Sequence, residues 1–159
     1  MATTLLRWSA REALLPTTLA PGVEFINGTN FNYIVLHFDQ AGGEHCWFFG
    51  QIPENYGAAA NCEVDVSWKS NAATTGNVIW AVQILGRTQA ETWDVALSSQ
   101  VQATSTRAAA NALHVLTISL TAPALAPGDE FVMNLIRNFD SVANYTADAD
   151  LIGVILKAA

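Results

Sequence analysis

From residue 22 onward, turn signals cut the chain into apolar segments of strand length. The turns read NGTN, DQAGG, PENYG, NAATTGN and APALAPGD. Between them lie candidate strands at 22–26, 32–38, 44–52, 62–70, 77–86, 113–121, 130–138 and 150–157, with an edge strand at 99–106. Such spacing, with no alternation of strands and long helices, predicts antiparallel pairing and argues against a parallel sheet. Eight or nine strands in one domain suit an all-β, antiparallel two-sheet sandwich of jelly-roll type. The exception is the segment 87–111, where 90–97 reads as a loop or short helix and 107–112 as a loop.

The segment CEVDVSWKS (62–70) alternates cleanly. Val64, Val66 and Trp68 share one face, and Glu63, Asp65, Ser67 and Lys69 the other, as in a half-buried strand. The segments 77–86, 113–121 and 130–138 are instead apolar on both faces, which raises the question of what covers the second face. Charged residues make up 13% of the chain, about half the ~25% usual for soluble domains. No apolar run reaches the ~18–20 residues that a membrane helix needs, so no membrane partner is expected. Subunit contacts are the expected cover, with a homotrimer as the assembly. The seven Lys and Arg residues stand singly in a chain of net charge −7, so no nucleic-acid partner is expected.

Residues 1–21 lack strand alternation and read as an N-terminal arm ahead of a 22–159 sandwich domain. Ser9 and Glu12 have capping-box spacing for a short helix over 9–15. Two arginines and a glutamate interrupt what would be the apolar core of a secretory leader. Leu5, Leu6, Trp8, Leu14 and Leu15 make the arm too apolar for a solvated tail. It either folds back on its own domain or docks on a partner, and these five residues are the candidate partner-binding set.

Little in the chain nominates chemistry. Cys46 and Cys62 read as reduced, buried small hydrophobes. His37, Asp39, Glu44 and His45 flank one loop and would form a metal site only if their strands paired across it. Asp140, Asp148 and Asp150 share a polar loop without EF-hand spacing. No phosphate loop, nucleophile elbow or Cys-x-x-Cys is present, so no catalytic residue, metal or cofactor is expected. Of the tryptophans, Trp68 and Trp80 read as core, Trp47 as core or sheet-packing interface, and Trp93 as exposed on a loop.

The stretches WFFGQIPENYG, VDVSWKSNAATTGNVIWAVQI, LTISLTAPALAPGDEFVMNLIRNFDS and ADADLIGVIL, spanning residues 44–157, resemble small tailed-phage and prophage structural proteins with virion jelly rolls. The resemblance implies a non-enzymatic virion component of the head or tail. Together with the arm and the doubly apolar strands, it leads to an expected role as a capsid decoration protein. The chain would sit on the outer surface of the phage head, with the arm gripping the major capsid protein. The alternative expectation is a tail-fibre or receptor-binding module recognising host glycans. There Trp93, Tyr56 or Tyr145 would stack on sugars beside the 140–150 loop.

Overall fold

The computed structural model describes residues 3–40, 43–57, 61–138 and 145–159. Ten strands run in chain order: β1 (Thr3–Ser9), β2 (Gly22–Asn27), β3 (Asn32–Phe38), β4 (His45–Gln51), β5 (Cys62–Lys69), β6 (Gly76–Arg87), β7 (Val101–Arg107), β8 (His114–Leu120), β9 (Glu130–Asn138) and β10 (Ala149–Ala158). One sheet has the order β2-β3-β10-β5-β8, with β1 beside β10, and the other has the order β4-β9-β6-β7. All pairings are antiparallel. The interleaving of β3-β10-β5-β8 with β4-β9-β6-β7 is that of two Greek keys, the jelly roll expected from the turn rhythm.

Period-2 patterning builds the core. Val64, Val66 and Trp68 of β5 are fully buried and face Phe48, Trp80, Phe131 and Met133 of the other sheet. A bulge at Ile152 resets the alternation of β10, so that Leu151, Val154 and Leu156 all point inward. The indole of Trp68 donates to the Ser105 hydroxyl at 3.0 Å and stacks on the His114 ring. Arg137 projects from β9 into the interior, where its guanidinium donates to the carbonyls of Phe38 and Tyr145. One cation thus closes an end of the sandwich by joining β9 to the end of β3.

The N-terminal segment folds into the sandwich. β1 pairs with Gly153–Ala158 of β10, continuing the edge along which β3 pairs with Ala149–Leu151. Gly153 marks the change of partner: a Cβ there would lie 2.7 Å from the Trp8 carbonyl oxygen. Trp8 is core, 7% exposed, with its indole donating to the Phe49 carbonyl at 2.9 Å and its ring stacked on Phe131. Leu5, Leu6 and Leu15 are partly buried against the same core. The helix expected over 9–15 is a single 3-10 turn, Ala10–Glu12, in which both the Ser9 amide and hydroxyl donate to the Glu12 carboxylate. The arm expected over 1–21 is therefore part of the domain from residue 3. Seven residues, four of them polar, with a register shift between Thr4 and Leu6, conceal this strand.

The second apolar face of β6 is covered from within the chain. On the outer face of β6, Ile79 and Ala81 are buried among the side chains of β9 and β7. Farther along, Val132 of β9 and Leu85 of β6 lie beneath a loop at 93–97. β8 alternates after all, with Ile118 and Leu120 buried and Val115, Thr117 and Ser119 exposed.

Candidate functional site

The outer face of the β4-β9-β6-β7 sheet is ordered in transverse rows. Trp47, Asn134 and Gln83 stand side by side on β4, β9 and β6. The adjacent row is Phe49, Val132 and Leu85, and the row on the other side is His45, Ile136, Ala81 and Gln102. Strands lie ~4.8 Å apart and same-face residues ~6.7 Å apart along a strand, so the first two rows make a patch about 10 Å by 7 Å. The alternation in HCWFFGQ sends Cys46 and Phe48 into the core and Trp47 and Phe49 outward.

Two segments wall this patch. On one side, Leu14 exchanges backbone hydrogen bonds with Trp47, 2.9 Å in each direction. On the other, the chain after β6 turns at Thr88–Glu91, where the Glu91 carboxylate accepts from the Thr88 amide at 3.0 Å. The Val95 amide then donates to the Trp93 carbonyl at 3.1 Å in a tight turn. Ser98 returns the chain to β6: its amide donates to the Ile84 carbonyl, and its hydroxyl accepts from the Ile84 amide at 3.0 Å. The resulting groove has a volume of about 460 Å³, with Phe49, Val132 and Leu85 as floor and Leu14 and Trp93 as walls. That is within the ~300–1,000 Å³ usual for small-ligand sites. Phe49 is 44% and Trp93 47% exposed, and neither ring stacks on another among the described residues.

Amides border the aromatic patch. Asn134 donates to the Gln83 side-chain oxygen at 3.3 Å, and Gln83 donates to the Ser98 carbonyl at 3.2 Å. Asn138 donates to Gln102 at 2.7 Å two rows away. Among the described residues the Oδ1 of Asn134 is buried and has no hydrogen-bond partner. Aromatic rings with amide side chains in the neighbouring row are a combination suited to a ligand with both apolar faces and hydroxyl groups. Two other depressions, of about 450 Å³ each, lie near the ends of β6 and β8 and carry no aromatic ring in their walls.

The other expected sites resolve differently. His37 and His45 lie on different sheets, because the loop between β3 and β4 crosses the sandwich instead of forming a hairpin. Among the described residues no group of three or more side chains could hold a metal ion. His37 instead bridges two carboxylates: Nδ1 meets Asp150 at 2.5 Å and Nε2 meets Glu24. Burial pushes its pKa down, but the carboxylates outweigh this and raise it. Lys69 closes the cluster on Asp150 at 3.1 Å. Asp140 lies outside the described residues, Asp148 is exposed, and Asp150 is buried in this cluster. Cys46 and Cys62 are free and buried, as expected. Tyr56 and Tyr145 are buried, bonded to the Cys62 sulfur and the Ser70 hydroxyl, so neither can stack on a ligand. Trp93 is exposed, as read from the sequence. Leu14 was named as a partner-binding residue of the arm, whereas Phe49 and the amides were missed, although the alternation in CWFF already separated Trp47 and Phe49 from the core positions.

No family model matches the chain, and no curated protein matches it. Solved structures do. A cycloalternan-forming enzyme from Listeria monocytogenes, in complex with a pentasaccharide substrate, superposes with TM-score 0.57 and 17% identity over 95% of this chain and 12% of that one. The CBM22-2 xylan-binding domain of Paenibacillus barcinonensis Xyn10C superposes with TM-score 0.57 and 11% identity, covering 97% and 99% of the two chains. The CBM22-1–GH10 modules of Clostridium thermocellum Xyn10B, complexed with xylohexaose, match with TM-score 0.51 and 11% identity over 99% and 28%. The chain thus spans about an eighth of the first enzyme and nearly the whole xylan-binding domain. At these identities the likeness establishes the β-sandwich fold.

These findings overturn the expected capsid-decoration role. The three structures just named are a xylan-binding domain, a xylanase with its CBM22-1 module and a cycloalternan-forming enzyme, none of them a virion protein. Of the five residues assigned to grip a capsid, Trp8 is core, Leu5, Leu6 and Leu15 pack on it, and Leu14 borders the aromatic groove.

Proposed function

We propose that this chain is a non-catalytic glycan-binding module whose ligand lies on the outer face of the β4-β9-β6-β7 sheet. The observation that carries the reading is the convergence of Trp47, Phe49 and Trp93 on one groove beside the Asn134–Gln83 amide pair. A pyranose ring presents an apolar face to an aromatic side chain and hydroxyl groups to polar side chains at its rim. The fold shared with a xylan-binding domain supports the same reading.

The resemblance of residues 44–157 to phage structural proteins suggests a setting for such a module. In a tail-associated or receptor-binding component, it would hold a particle to a glycan-coated surface. A glycan array tests the reading: the wild-type chain gives a consistent set of hits, and Trp47→Ala loses them while remaining folded. An array without hits contradicts it.

A further inference from the structure

We infer that the glycan held in this groove carries a positively charged amine, as in an amino-sugar polymer with free ammonium groups. The inference rests on the glycan-binding reading and concerns the chemistry of its ligand. Asp94 is the one charged side chain in the groove wall, set next to Trp93 in the same loop and across from Trp47 and Phe49. Among the described residues its carboxylate has no hydrogen bond or ion pair. No lysine or arginine lines the groove.

Three rings and a carboxylate around one space favour a cation twice over. The negative faces of indole and phenyl rings attract a cation within about 6 Å of their centres. The carboxylate then supplies the counter-charge at the same groove. The net charge of −7 adds a field that draws cationic ligands toward the protein at low ionic strength. A neutral glycan would use the rings and the amides but would leave Asp94 without a role. An anionic glycan would meet repulsion from Asp94 with no cation in the groove to offset it.

The test is calorimetric titration of the full chain with glucosamine oligosaccharides, their N-acetylated counterparts of equal length, and xylo-oligosaccharides. Each is measured at low and high salt, with the wild type and Asp94→Asn. Asp94 is exposed, so an unchanged melting temperature verifies that the variant is folded. The expected result is binding of the free-amine series about tenfold tighter than the acetylated one, a preference weakened by salt and largely lost in Asp94→Asn. Equal or tighter binding of the acetylated or xylose series, unaffected by Asp94→Asn, overturns the charged-ligand inference and leaves the glycan-binding reading standing. Absence of binding to all three series overturns both.

Discussion

Leu14 and Trp47 exchange a pair of backbone hydrogen bonds, 2.9 Å each way, that fasten the N-terminal segment to the outer edge of the β4-β9-β6-β7 sheet. Through β1, the same segment is a strand of the opposite sheet. Thirteen residues, Thr3 to Leu15, therefore clasp the sandwich across both layers and finish as a wall of the aromatic groove. Stability and binding divide between neighbouring residues of one short stretch.

Trp8→Ala should destabilise the fold by about 3–4 kcal/mol, since it empties a buried indole site and leaves the Phe49 carbonyl without its donor. Leu14→Ala, at a side chain 58% exposed, should change stability by less than about 1 kcal/mol and weaken glycan affinity instead. Chemical denaturation of both variants checks the contrast. An unchanged midpoint for Trp8→Ala would restore the reading of residues 1–21 as an independent arm.

Trp93→Ala should cost about tenfold or more in glycan affinity with little change in melting temperature, because the ring is 47% exposed and stacks on no other aromatic side chain among the described residues. Affinity electrophoresis through gels containing soluble polysaccharide reads the difference directly. Loss of folding without a specific loss of retardation would mean that the loop supports the sheet and does not serve a ligand.

Arg137→Met should destabilise by about 2–4 kcal/mol. The guanidinium is 3% exposed and donates to the Phe38 and Tyr145 carbonyls, both of which would lose a charge-assisted bond inside the sandwich. Thermal unfolding of the variant supplies the number, and a neutral substitution would show that the end of the sandwich is closed by other contacts.

The carboxylates of Glu24 and Asp150 face both nitrogens of His37, and only the protonated ring donates to both. Its folded pKa is raised above the ordinary 6.5. The stabilisation is therefore fully present below about pH 6.5 and is lost as the pH rises through the higher folded value. The wild type should lose stability relative to His37→Gln between neutral and mildly alkaline pH, as followed by melting temperature. Parallel profiles for the two proteins would contradict the assignment.

The sandwich was legible because period-2 patterning and turn chemistry are local signals. β3 and β9 fall on the predicted segments 32–38 and 130–138, and Trp68 and Trp80 lie in the core. β1 was not legible, because its pairing with β10 joins residues as distant as Thr3 and Ala158 and no local alternation announces it. The aromatic groove was half legible. Trp93 was expected on the surface, but its approach to Trp47 and Leu14 depends on a loop folding over a sheet assembled from four distant segments. The second apolar face of β6 and β9 was visible, while its cover was sought in other subunits. On β6 the chain itself buries Ile79 and Ala81 among neighbouring side-chain rows.

Indole N–H resonances followed by NMR during a glycan titration test the central claim most directly. The five tryptophans divide into three in the core, Trp8, Trp68 and Trp80, and two at the groove, Trp47 and Trp93. The account predicts that the resonances of Trp47 and Trp93 shift with added glycan while the core three stay in place. Binding that leaves Trp47 and Trp93 unmoved would contradict it.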